Sequence, residues 1–390
     1  MPEFYAEPMK NRKSCSVCKK TAKAKGKKVL LTCIKCHAIT YCGGECQAAD
    51  WGRHEWNCVP VMVTEIPGKG RGLVAARDIE KGEVIFKDKP VLKLAMNAER
   101  QFTDPEFMTS LKQQIESLPS EARAQFYKLK TYDDVDFNYS DTSSDKEVTK
   151  LFWCNSTVPV YGKVGRSCAA MLHLNLALVN HSCVPNATHG GGLKQIQQEG
   201  NEDHSVELRA IKDICKGEEI TVCYFLDVKE FGSAPRKRKT ALKKGLGFEC
   251  KCPVCLGNVP NQEKTLKKLI EAHSKLNPTP SDWKKEAGIR SWIVDLTMEL
   301  NIGDPREKIQ ALDALVSFSH LARDRDLVRK AMDIWIQFMK ETKIETILGP
   351  KDLERGLAQW SAEFRSNNVP KKREIDSILR SVAGDLNISV

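Results

Sequence analysis

"LVNHSCVPNATH", residues 178–189, sets an amide, an imidazole, a thiol and a proline within residues 180–186, directly after the apolar run 172–179. A short apolar run bounded by polar residues reads as a buried strand, so the cluster should stand at the end of a core element. One of its residues has a use downstream. "FECKCPVC", residues 248–255, supplies Cys250, Cys252 and Cys255, one ligand short of a closed four-coordinate zinc site. Cys183 can be the fourth, tying the opening stretch to the later cysteines.

Two further stretches share a grammar. "GKGRGLVAARDIEKGEVI", residues 68–85, has Gly70 and Gly72 around Arg71, an alternation through Leu73 and Ala75, and a turn at Glu80, Lys81 and Gly82. "VELRAIKDICKGEEITVCYF", residues 206–225, repeats it: a strand over 206–210, a "KGEEI" turn, and a strand carrying Ile220, Val222 and Tyr224. Alone, a G-x-G turn is weak evidence, equally expected between any two strands.

The chain has 390 residues, 41% hydrophobic and 7% aromatic, enough for one large core or two to three domains. No run approaches the ~20 apolar residues of a membrane helix, and residues 1–12 hold no apolar signal segment. An intracellular protein without a membrane span is expected. Fifteen cysteines then point to metal and not to disulfides. Cys15 and Cys18, Cys33 and Cys36, Cys42 and Cys46, and His54 and Cys58 form four short-spaced pairs within residues 15–58. Eight soft ligands suit two closed, structural zinc sites, which would stand in for a core this segment cannot build.

The order of these pairs, with Tyr41 before Cys42 and "ADWGRHEWNC" at the end, resembles a MYND finger; a RING would carry a Cys-x-His pair in its middle. That resemblance implies alternating ligation: Cys15, Cys18, Cys42 and Cys46 on one zinc, and Cys33, Cys36, His54 and Cys58 on the other. His37 is left over as a surface residue. "GKGRGL", "NHSCVPN", "GEEITVCY" and "FECKCPVC", in that order, resemble a SET domain with its post-SET zinc loop. Together they resemble the SET-and-MYND (SMYD) family of protein-lysine methyltransferases.

The resemblance implies an α+β fold: a split, β-rich SET domain, an N-terminal zinc-bound MYND finger, a post-SET zinc loop and an all-α C-terminal domain. The expected order is a tail over 1–14, the finger over 15–58, SET segments over 65–96 and 151–231 around a helical insertion over 97–150, a zinc loop over 232–257, and a helical domain over 258–390. Implied cofactors are S-adenosylmethionine and three zinc ions, the third held by Cys183, Cys250, Cys252 and Cys255. Lys69, Gly70, Arg71, Asn155, Asn180 and His181 match the family's donor contacts. Tyr224 matches its catalytic tyrosine, at the meeting point of donor and lysine, and Phe248 would wall the lysine channel.

Some positions depart from the pattern. Leu246, His173 and Ala177 stand where the family commonly has tyrosine, tyrosine and serine, each losing a hydroxyl. The finger also precedes the glycine turn, whereas in better-known members it follows. A competing reading is therefore a scaffold or corepressor, inactive or weakly active, that works through its finger and helical domain.

Within the insertion, Asp104 and Pro105 look like a helix start, and "LPSEARAQFYKL" reads as a second amphipathic segment. "DDVDFNYSDTSSD" reads as a solvated loop. Beyond residue 258 five or six helices are expected. Asp304, Pro305 and Glu307 precede Ile309, Leu312, Leu315 and Val316 at helical spacing, and Leu266, Leu269 and Ile270, then Ile334, Trp335 and Phe338, behave alike. The formal charge of +10 invites nucleic acid, but thiolates offset it. Seven on two zinc ions add roughly −3 and four on the third add roughly −2, leaving about +5. "RKRK", Arg236 to Lys239, could be an import signal or phosphate contact, but a solvated helix face is the plainer reading. A monomer of nucleus and cytoplasm is expected, whose partners are a substrate lysine and a peptide at the finger, with weak support for nucleic acid.

Overall fold

The computed structural model describes residues 14–22, 30–34, 36–37, 39–54, 58–96, 105–131, 143–157, 168–190, 205–224, 235–258, 262–277, 280–300 and, with gaps, 308–342. The chain divides into two compact units. One comprises Met1–Asn180, Asp203–Thr221 and Lys243–Phe248, the other His181–Glu202, Val222–Leu242 and Glu249–Val390.

The first unit begins with a small finger. β1 (Leu31–Thr32) pairs antiparallel with β2 (Thr40–Tyr41), and α1 (Gly44–His54) follows. The finger's buried cluster is Cys15, Cys33, Cys36, Cys42 and Tyr41, with the Tyr41 hydroxyl donating to Asp50 Oδ2 at 2.8 Å. Thiols, one aromatic ring and the partly buried Leu30 and Ile39 are little apolar surface to hold so short a segment, which is why such modules depend on metal.

After the finger, β3 (Val61–Ile66) and β4 (Gly70–Ala75) make a hairpin whose turn holds Gly68 and Gly70 at positive φ, 73° and 77°. β12 (Glu219–Val222) pairs antiparallel with β4. Val61 and Val63 alternate with partly buried residues along β3, whereas Leu73–Ala75 and Ile220–Val222 are buried without alternation, so only β3 shows the period-2 pattern of a strand with one covered face. β5 (Val84–Asp88) pairs with β11 (Val206–Ala210), with an irregularity between Leu208 and Arg209. The two "KGE" repeats meet as near copies. Ile79 and Ile214 exchange backbone bonds at 2.9 Å each way. Lys81 N–H donates to Asp213 at 2.8 Å and Lys216 N–H to Asp78 at 2.7 Å. Gly82 and Gly217 take matching φ values of 87° and 86°. The shared grammar is thus a reciprocal pair of turns, each carboxylate closing the other's loop.

β6 (Leu92–Met96), β8 (Cys168–Leu172) and β7 (Ser156–Thr157) form a third sheet in the order β6-β8-β7. The expected insertion supplies α2 (Pro105–Ser117), α3 (Ser120–Tyr127) and α4 (Ser143–Asn155). Phe107, Leu111, Phe126 and Phe152 from these helices pack with Leu92 and Leu172 in one core. Asp104 and most of the acidic loop lie outside the described residues.

The run 172–179 is only partly strand. β8 ends at Leu172, and Leu176–Leu178 form a 3-10 turn. The reason is Asp88. Its buried carboxylate accepts from the N–H groups of Asn175 and Leu176 at 2.9 and 3.0 Å and from the Asn175 side chain at 3.1 Å, so these donors are satisfied by a turn instead of a sheet ladder. Burial raises the Asp88 carboxyl to about 6 against these lowering hydrogen bonds.

The chain passes into the second unit within β9 (Asn180–His181), and Ser182 N–H donates to Val222 O at 2.9 Å. β10 (Ala187–Gly190) follows. α5 (Pro235–Leu246), which runs into the first unit, precedes the last cysteines, and α6 (Gln262–Ser274), α7 (Trp283–Glu299) and α8 (Arg325–Thr342) come after them. Asp282 caps α7 by accepting from Lys285 N–H at 3.0 Å. Leu266, Leu269, Leu312, Leu315, Val316 and Phe338 are buried as the spacing predicts, but Ile270 is 39% exposed. Ile309 and the side chain of Trp335 are not described. No described helix is long and apolar enough to cross a membrane.

Candidate functional site

Gly70 and Gly72 shape the glycine turn. Gly70 adopts a φ open mainly to glycine, and a Cβ on it would lie 3.0 Å from Lys130 Nζ. A Cβ on Gly72 would lie 2.6 Å from both Asn180 Nδ2 and Ile66 Cγ1, so only glycine leaves room for Asn180. That amide donates to Arg71 O at 3.3 Å and to Glu219 Oε1 at 3.0 Å. Glu219 in turn holds Lys69 Nζ at 2.6 Å. Arg71 Nη2 donates to Lys128 O at 2.5 Å, and Asn155 Nδ2 donates to Lys130 O at 3.1 Å and Leu151 O at 2.8 Å. Lys69, Arg71, Asn155 and Asn180 are therefore joined through Glu219 and the 128–130 segment. Neither Glu219 nor Lys130 was singled out from the sequence. Lys69, Arg71 and Lys130 around Gly70 suit a ligand bearing a carboxylate.

His181, the residue after Asn180, is buried. Its Nδ1 accepts from the backbone N–H of Tyr224 at 3.1 Å, which leaves the proton of the neutral ring on Nε2. Nε2 lies 3.5 Å from Cys183 Sγ. The Tyr224 ring stands 5.2 Å from the imidazole, centroid to centroid, and is 38% exposed. Phe248 and Leu246 are half-buried. His173 is buried beside Thr157, with Nδ1 to Oγ1 at 3.4 Å, and Ala177 packs against the core. Neither replaces the hydroxyl that the family pattern would supply.

The cysteines assemble in three groups of four: Cys15, Cys18, Cys42 and Cys46; Cys33, Cys36, His54 and Cys58; and Cys183, Cys250, Cys252 and Cys255. Within each, all ligand atoms lie within 4.8 Å of one another. Tetrahedral zinc with ~2.3 Å bonds to sulfur sets its ligand sulfurs about 3.8 Å apart. Cys18 to Cys42 is 3.7 Å, Cys33 to Cys58 is 3.8 Å, and Cys183 stands 4.0 Å from Cys250 and 3.6 Å from Cys255. The groups fit zinc and are far longer than the ~2.05 Å of a disulfide. Hydrogen bonds from Cys250, Cys252 and Cys255 hold the Cys183 thiol above its ordinary range. Those from Cys183, Cys250 and Cys255 hold Cys252 below its own. A metal replacing such shared protons releases them. Cys154, Cys215 and Cys223 stand outside the three groups; the Cys168 side chain is not described.

The "RKRK" run is not a uniformly solvated face. Arg236 is exposed and Lys239 pairs with Glu249 at 3.5 Å, whereas Arg238 is wholly buried.

Residues 70–225 match the SET domain and residues 15–58 the MYND finger. The fold and the site thus define an α+β SET-domain protein with zinc-binding cysteine groups. With the finger on its N-terminal side, the chain has the domain pairing of the SET-and-MYND proteins. It is similar to human SMYD1, a histone-lysine N-methyltransferase, at 38% identity over 27% of this chain and 20% of that protein. Mouse SMYD3, also a histone-lysine N-methyltransferase, is 24% identical over 67% of this chain and 58% of its own length. Human SMYD2, an N-lysine methyltransferase, is 22% identical over 59% and 48%. The chain spans less than two thirds of each of these relatives. The solved SET domain of LSMT bound to lysine and AdoHcy is 12% identical over 84% of this chain and 87% of its own, with a TM-score of 0.31.

Proposed function

We propose that the chain is an S-adenosylmethionine-dependent protein-lysine N-methyltransferase, acting on histone or non-histone lysines, whose MYND finger recruits a peptide partner. The observation that carries this reading is the use made of "NHSC": Asn180 fills the notch left by Gly72, His181 accepts the Tyr224 N–H, and Cys183 belongs to a tetrathiolate group. These contacts support reading the run as one that serves donor binding, catalysis and metal.

Lys69, Gly70, Arg71, Asn155 and Asn180 would hold the donor's amino-acid portion, with Lys130 as a further cation, and His181 its adenine side through the backbone. When bound, S-adenosylmethionine supplies an electrophilic methyl on a sulfonium. The protein's task is placement: orientation contributes several kcal/mol, and an apolar channel walled by Phe248 favours the neutral form of a lysine amine. Tyr224, tethered at its N–H, orients that amine through its hydroxyl. Three zinc ions, two in the finger and one on Cys183, Cys250, Cys252 and Cys255, hold these segments in shape. The domain limits expected from the sequence, a monomeric state and a nuclear and cytoplasmic location belong to the same proposal.

Leu246, His173 and Ala177 favour a second reading, a scaffold that binds partners without transferring methyl groups. Calorimetric titration of the purified chain with S-adenosylmethionine separates the two. Saturable binding supports the enzyme, and no heat at donor concentrations up to the millimolar range removes it.

A further inference from the structure

Arg238 is 0% exposed and stands first among the largest fully buried side chains. A guanidinium is a charged group, and taking it out of water is costly unless an opposite charge compensates it. Its Nη2 lies 4.0 Å from Sγ of Cys255. Cys255 belongs to the group formed with Cys183, Cys250 and Cys252, and all four are buried. Four thiolates on one divalent zinc carry a net charge of about −2, equally costly to bury. The two opposite charges lie side by side.

We propose that Arg238 is the buried counter-ion of the zinc site built on Cys183, Cys250, Cys252 and Cys255, donating to the Cys255 thiolate and lowering the free energy of the metallated cluster. Position sets it apart from two neighbours in the basic run: Arg236 is exposed and Lys239 is turned to Glu249, whereas Arg238 lies beside the cysteine group. This role does not depend on methyl transfer, and it holds whether the chain is an enzyme or a scaffold.

The test measures zinc release from the full-length chain to the colorimetric chelator 4-(2-pyridylazo)resorcinol. Arg238→Met keeps a long stem and removes the charge; Arg238→Lys keeps a charge. In the methionine variant one zinc of three should leave at least tenfold faster, with the other two unchanged, while the lysine variant should stay within about threefold of the unaltered chain. Should the methionine variant fold only with added zinc, that dependence meets the expectation, since the weakened metal site is then limiting. Release curves that superimpose for all three proteins would overturn the proposal. So would equal acceleration in both variants, or failure of both to fold whatever the zinc supply, because shape and not charge would then be the role of Arg238.

Discussion

The backbone N–H of Tyr224 donates to Nδ1 of His181 at 3.1 Å, and the opposite nitrogen of the same ring lies 3.5 Å from Sγ of Cys183. One imidazole therefore spans from Cys183, a member of the group formed with Cys250, Cys252 and Cys255, to the residue proposed to orient the substrate amine. On the proposed reading, this imidazole couples the metal site to the donor site through one neutral tautomer.

That coupling makes the metal measurable twice. Elemental analysis should find three zinc ions per chain, and Cys183→Ser should lose one of them and weaken S-adenosylmethionine binding about tenfold, ~1.4 kcal/mol. Loss of one zinc with donor affinity unchanged would sever the link through His181.

Cys33→Ser removes a ligand from one finger group and should unfold the finger, whose folding energy is its metal. Partner binding should disappear. Donor titration checks the rest: affinity should persist, because the matched SET segment starts after the finger, at residue 70.

Gly72→Ala would put a methyl 2.6 Å from Asn180 Nδ2 and Ile66 Cγ1. Relieving that overlap costs about 1 to 3 kcal/mol and should turn Asn180 away from Glu219. Donor affinity is expected to fall about tenfold or more, against a small effect of Gly44→Ala, where a Cβ meets nothing within 4 Å. Equal affinities in the two variants would contradict the fitted role of Asn180.

Asp88 gives a pH signature. Its carboxyl is raised from 3.8 to about 6 in the fold, so between those values the native chain binds more protons than the unfolded one. The contribution of Asp88 is therefore most favourable below about pH 4 and is lost as pH rises through about 6, a change of about 3 kcal/mol. Asp88→Asn abolishes it. The stability of the variant relative to the unaltered chain, from denaturant unfolding at matched pH, should rise across that window and level off above it; a flat difference would show an unshifted carboxyl.

Much of the site was legible because its ligands are close in sequence. Cys-x2-Cys spacing declares a metal group without knowledge of the fold, and Cys183 could be added by counting ligands. Other features depend on segments far apart in the chain. Glu219 meets Lys69 and Asn180, and Lys130 reaches Gly70, pairings that no local pattern encodes. Apolar content marked residues 172–179 as core but could not tell strand from 3-10 turn, because the deciding acceptor, Asp88, lies more than eighty residues earlier. A run of four basic residues looked uniformly solvated, although helical geometry buries one of them, Arg238, near a cysteine seventeen residues ahead.

The central claim is methyl transfer oriented by Tyr224. The most direct measurement is transfer of an isotopically labelled methyl group from S-adenosylmethionine to lysines of a protein extract, made with the unaltered chain and with Tyr224→Phe at equal donor occupancy. Removing one oxygen keeps the ring against His181, so donor binding should hold while transfer falls at least tenfold, the effect of ~1.4 kcal/mol lost at the transition state. Donor binding without labelled lysine from the unaltered chain, or transfer that Tyr224→Phe leaves untouched, would contradict the account.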